Sequence, residues 1–159
     1  MAVFKHILVP LDGSPFSERV LPLAAWLART SAASISLVWN VPYVAPMSMS
    51  AVSAAKVVGD NERPQNIVLA ESHLQAVAAQ AAFTNIHIET AILIGEPVHA
   101  LLTHIHQHQV DLVMMYSHDH TFVTSWLLGN VTQGIVRHSP VPVFVIRDTM
   151  RIPEIPADA

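Results

Sequence analysis

The stretch "MMYSHDHTFVTSWLLGN", residues 114–130, gathers side chains able to do chemistry where a buried apolar run gives way to polar residues. His118, Asp119 and His120 set two imidazoles around a carboxylate, a donor set suited to zinc or another divalent cation. A cation there would also offset the Asp119 charge and could bridge it to a phosphate. A polar surface loop that holds histidines is the simpler account, because the sequence places no further ligand beside them. A second pair, His104 and His108 in "HIHQH", lies one helical turn apart, the spacing at which two imidazoles can share a metal. That pair flanks an apolar stripe and lacks the glutamate of a metalloprotease helix, so boundary histidines with satisfied nitrogens are expected. No nucleophile stands beside a base. Ser117 precedes His118 without the glycine-flanked elbow of a hydrolase, and Ser14, near Asp12, reads as a helix cap. The expectation is a non-catalytic chain.

The elements that must position these residues alternate between strand and helix. "HILVPL" (6–11) is a nearly continuous apolar run, as in a strand buried on both faces. "DGSP" follows, with Ser14 as expected N-cap and Pro15 at the first helical position. Val20, Leu23, Ala24 and Leu27 then mark one helix face, with a bend expected at Pro22. "SISLVWNV" (34–41) is the second strand, and Trp39 on it reads as a packing residue. Residues 42–65, rich in Pro, Ser, Met and Ala, read as a flexible excursion. A helical pattern resumes at Ile67, Ala70, Leu74, Val77 and Ala81. A strand over 86–94 and a helix opened by Glu96 and Pro97 come next, the latter burying Val98, Leu101, Leu102 and Ile105. Strand 111–117, helix 125–138 and strand 141–147 complete the pattern, ahead of a proline-rich tail over 149–159. Trp126 reads as packing on the last helix, and Phe122, four residues earlier, is placed to close over the cleft. This order predicts an open doubly wound five-stranded parallel sheet with helices on both faces, in one domain over residues 1–148. Ligands of such sheets bind at the carboxyl ends of the strands, where the winding reverses.

Composition narrows the classes. Apolar residues make up 52% and charged residues 13%, so part of the surface is expected to be covered by a partner. Eight Lys and Arg and a net charge of −4 argue against nucleic acid, which demands a basic face. No cysteine is present, which excludes disulfides and thiolate sites. The N-terminus does not read as a signal peptide and no apolar run is long enough to span a membrane, so a cytoplasmic protein is expected.

Three blocks, "HILVPLDGSPFSERVLPLAAWLA", "GEPVHALLTHIHQHQVDLVMM" and "LLGNVTQGIVRHSPVPVFVIR", resemble the universal stress protein family, and the resemblance covers nearly all of the chain. It implies a Rossmann-like, adenine-nucleotide alpha hydrolase-like fold and a stress-response role. One branch of that family binds ATP through Gly-x-x-Gly, nine residues, then Gly followed by Ser or Thr. Laid on this chain without gaps, those positions fall on Tyr116, Asp119, Gly129 and Asn130. Three of the four have therefore changed. Glycine lets backbone N–H groups approach phosphate unobstructed. Tyr116 puts a ring at that approach, and Asp119 puts a carboxylate where it would repel a phosphate by roughly 1 to 4 kcal/mol.

The resemblance also implies nucleotide-binding positions at Pro10, Asp12, Val41, Met115, Ser117, Gly129, Asn130, Val131 and Thr132. The last four are expected to present N–H groups at a helix N-terminus. The implied ligand is ATP or another adenine nucleotide with Mg²⁺, bound weakly or not at all because the phosphate loop is altered. A true ATP binder, a pure dimeric interaction protein and a metal site at His118, Asp119 and His120 are the alternatives. The last strand, with Val143 and Val145, is an apolar edge that a homodimer would protect, an arrangement the resemblance implies.

Overall fold

The computed structural model describes residues 3–42, 65–117, 126–147 and 150. Five strands form one sheet: β1 (His6–Leu11), β2 (Ser34–Val41), β3 (Ile88–Ile94), β4 (Leu112–Ser117) and β5 (Val143–Arg147). The helices are α1 (Leu21–Ser31), α2 (Gln65–Ala78), α3 (Pro97–Gln107) and α4 (Trp126–His138), with 3-10 turns at Ser17–Val20 and Ala81–Phe83. Among the described residues every strand pair is parallel, and the sheet order is β3-β2-β1-β4-β5. Winding therefore reverses between β1 and β4, which opens a crevice at their carboxyl ends. The expected excursion over 42–65 and the tail fall almost wholly outside the described residues.

The apolar runs are continuous because both faces of the sheet are covered. Ile7, Val9, Leu11, Ile35, Leu37, Met114 and Tyr116 point to one core, which α1 and α2 close through Ala24, Ala28, Leu74 and Val77. Leu8, Val38, Val113 and Met115 point to the other, which meets Leu101 and Ile105 of α3 and Ile135 of α4. Side chains of successive strand residues thus divide between two cores, as the two-residue strand repeat requires.

Two local expectations are corrected. The first helix begins at Leu21, not at Pro15, and Pro22 occupies its first turn. A missing N–H costs nothing there, so the proline starts the helix instead of bending it. Ser14 caps the preceding turn: its Oγ accepts from Ser17 N–H at 3.2 Å, while the Ser17 hydroxyl donates back to the Ser14 carbonyl at 3.0 Å. At α3 the expectation holds, with Glu96 accepting from the N–H groups of Val98 and His99 ahead of Pro97.

Candidate functional site at the crest of the sheet

The crest is built first from the turn after β1. Asp12 Oδ1 accepts from the Ser14 N–H at 2.9 Å, and the Asp12 N–H points at Ser17 Oγ at 3.4 Å. Between them Gly13 takes φ +78°, a left-handed conformation that side chains disfavour. Its backbone rests against the Trp39 indole so closely that a β-carbon would stand 2.1 Å from Cη2. Trp39 in turn meets His73 edge to face with centroids 5.5 Å apart, and His73 Nε2 lies 2.7 Å from Glu18 Oε1. The turn bearing Asp12 is thereby braced from β2, α2 and the 3-10 turn together. Trp39 is a packing residue, as expected. Gly13, His73 and Glu18 were not singled out by sequence, because contacting residues 26 to 55 positions apart carry no spacing signal.

At the end of β4, Tyr116 does not stand across the crevice. Its side chain is only 2% exposed, packed in the α1-side core, and its hydroxyl receives Arg19 Nη1 at a long 3.4 Å. The strand alternation causes this, since Tyr116 follows Met114 on the same face. The expected obstruction by the ring is therefore corrected, although glycine's backbone freedom is still missing at that position. Met115 is buried in the opposite core, and Ser117 ends the strand half-buried. Pro10 is half-buried, and Val41 is buried at the end of β2, where its carbonyl accepts from Gly95 N–H at 3.2 Å.

A second correction concerns the anion site. Helix α4 begins at Trp126, so the N–H groups of Asn130, Val131 and Thr132 lie beyond its first turn, where the helix uses them internally. Gly129 closes that first turn. Unpaired N–H groups belong to the positions before it. Asn130 is exposed, Val131 packs against the α3-side core, and Thr132 is buried with its Oγ1 unpartnered. The candidate residues His118, Asp119, His120 and Phe122 lie outside the described residues, as does the side chain of Trp126.

The second histidine pair is at the other end of the sheet. His104 and His108 stack with ring centroids 4.0 Å apart and planes 18° from parallel. Stacked rings direct their nitrogen lone pairs alongside one another, whereas a shared metal needs them to converge. Among the described residues no group of three His, Asp or Glu could hold a metal ion. His104 is also not satisfied: its Nε2 is buried without a partner, and burial, then His108 and His6, lower its pKa from 6.5 to about 4 against an opposing Glu89.

A doubly wound parallel α/β domain with a polar turn at its switch point is the class this geometry defines. The Universal stress protein family model matches residues 4–147, and the chain belongs to that family. Universal stress protein YxiE of Bacillus subtilis (strain 168) is 28% identical over 149 residues, covering 91% of this chain and all of that protein. The fold matches a universal stress protein from Archaeoglobus fulgidus in complex with dAMP (TM-score 0.63, 17% identity, 92% of this chain and 99% of that one). It also matches a universal stress protein in complex with cAMP (TM-score 0.59, 23% identity, 91% and 97%). Among the described residues no helix is long and apolar enough to cross a membrane.

Proposed function

We propose that this chain is a non-catalytic, cytoplasmic stress-response module whose crest takes an adenine nucleotide or a related small ligand weakly or not at all. The nucleoside end is better provided for than the phosphate end. The observation that carries this reading is the braced Asp12 turn at the β1–β4 switch point, in a chain that replaces two phosphate-loop glycines with Tyr116 and Asp119. The relatives crystallised with dAMP and cAMP support an adenine compound as the ligand. With the Tyr116 ring turned into the core, what weakens the phosphate end is the loss of glycine's freedom there and the Asp119 charge. Residues Pro10, Asp12 and Val41 supply the nucleoside side, and Mg²⁺ would enter only with a bound triphosphate.

Isothermal titration of dialysed protein with ATP and Mg²⁺, beside adenosine and AMP, tests it. Heat from adenosine with no gain from added phosphate is the expected result. Micromolar ATP binding that is lost in Gly129→Asp would overturn it in favour of a true ATP-binding member.

The same protein acts as a homodimer through β5, the edge of the sheet. Phe144 is 42% exposed there, while Val143 and Val145 pack inward against the α3-side core, leaving the strand's outer backbone for a second copy. Light scattering of wild type and Val145→Pro tests this: a dimer that becomes monomeric is expected, and a wild-type monomer would sink it.

A further inference from the structure

Asn40 is the one strongly polar side chain in the strand "SISLVWNV" apart from its serines, and half of its amide has no partner. Register places it one rung beyond the Leu11–Trp39 pair, level with Asp12 at the crest. Because Val38 points into the α3-side core and Trp39 to the α1 side, alternation sends Asn40 to the α3 side, away from the Trp39 brace. Its Nδ2 donates to the Gly95 carbonyl at 3.1 Å, at the turn that leads from β3 into α3. That bond also settles which prong is oxygen, since a flipped amide would set two carbonyl oxygens against each other. The two prongs diverge, so with Nδ2 held on the β3 side, Oδ1 faces away from β3. It is closed to water and unpartnered. Folded proteins pair nearly all buried acceptors, and an orphan calls for a missing donor.

We propose that Asn40 Oδ1 accepts a hydrogen bond from an N–H or O–H group of the ligand at the crest, and so makes the site selective for a nucleoside that carries that donor. This rests on the reading given under Proposed function and adds a specificity-determining residue to it. Asn40 is well placed for the role because it adjoins Asp12 and because its amide is already oriented by Gly95. Selection then falls on the nucleoside end, where a single missing donor leaves a buried acceptor unpaired. An exocyclic purine amine and a ribose hydroxyl share this chemistry, and the experiment separates them.

Wild type, Asn40→Val and Asn40→Ala are titrated with adenosine, purine riboside, 2′-deoxyadenosine and 3′-deoxyadenosine, with circular dichroism to confirm folding. In wild type one analogue binds about tenfold more weakly than adenosine, the effect of one unpaired acceptor. Loss with purine riboside assigns the amine; loss with a deoxy compound assigns the hydroxyl. In the variants adenosine and that analogue bind alike. The ratio between two ligands on one protein is unmoved by a general loosening of the β3–α3 turn, so a purely structural Asn40 would leave it intact. Variants that keep the wild-type ratio, or a wild type that binds all four alike, overturn the inference while the proposed function stands. A wild type that binds no adenine compound also overturns the inference, and leaves the proposed function in its non-binding form alone.

Discussion

The backbone of Gly13 rests against the indole of Trp39, so near that no β-carbon fits between them. This contact ties the turn bearing Asp12 to β2, and through His73 to α2. Gly13→Ala would add both a clash and the cost of a side chain at φ +78°. The expected result is a loss of about 2 to 3 kcal/mol in urea unfolding. A shift in tryptophan emission should accompany it as the indole is displaced.

Restoring glycine at the altered loop will not restore a phosphate site. Tyr116 is a core residue, and Tyr116→Gly removes a large buried ring from beneath the 3-10 turn. It should cost about 4 kcal/mol of stability, the usual scale for deleting an aromatic from a core. Titration with ATP should show no gain in affinity. A stable variant with improved ATP binding would contradict this placement of the ring.

Helices α3 and α4 meet where Gly134 faces Val98. A β-carbon at Gly134 would lie 2.6 Å from Val98 Cγ2. Alanine improves helix propensity by about 1 kcal/mol, but the overlap costs about 1 to 3 kcal/mol. Gly134→Ala is therefore expected to lower the thermal midpoint. Adding Val98→Ala should recover part of the loss, a coupling that a double-mutant cycle would read directly.

Acid should weaken the fold through His104. Its pKa falls from 6.5 to about 4 on folding, chiefly because burial disfavours the imidazolium, with the facing His108 and His6 adding to the shift and Glu89 opposing it. The folded state thus binds fewer protons than the unfolded chain. This contribution is complete above about pH 6.5 and is lost as pH falls toward 4. It amounts to about 2 kcal/mol, allowing for water at the exposed His108 beside it. Urea midpoints between pH 7.5 and 4 should show that fall, and His104→Leu should flatten it.

Much of the architecture is local and was therefore legible. The strand runs are apolar on both faces, Glu96 and Pro97 announce α3 two residues ahead of its buried stripe, and alternation alone implies the parallel sheet. The resemblance carried by the three sequence blocks named the family, and the family model confirms it.

Tertiary structure decided what depends on direction and distance. Sequence could place Tyr116 at a glycine position but not say which face its ring takes; the register with Met114 sends it into the core. Pro22 looked like an interruption until the start of α1 at Leu21 made it an opening residue. The satisfied histidine expected at position 104 is buried with an unpartnered Nε2, within electrostatic reach of His6 on β1 and Glu89 on β3, residues that its own helix does not contain. Gly13, Trp39, His73 and Glu18 are far apart in the chain and carry no shared pattern, so only folding could bring them together. Local propensity and periodicity act over a few residues, and they determined the elements of this protein. The crest, its brace and its orphan acceptor at Asn40 come from contacts between elements, whose geometry no single stretch of sequence contains.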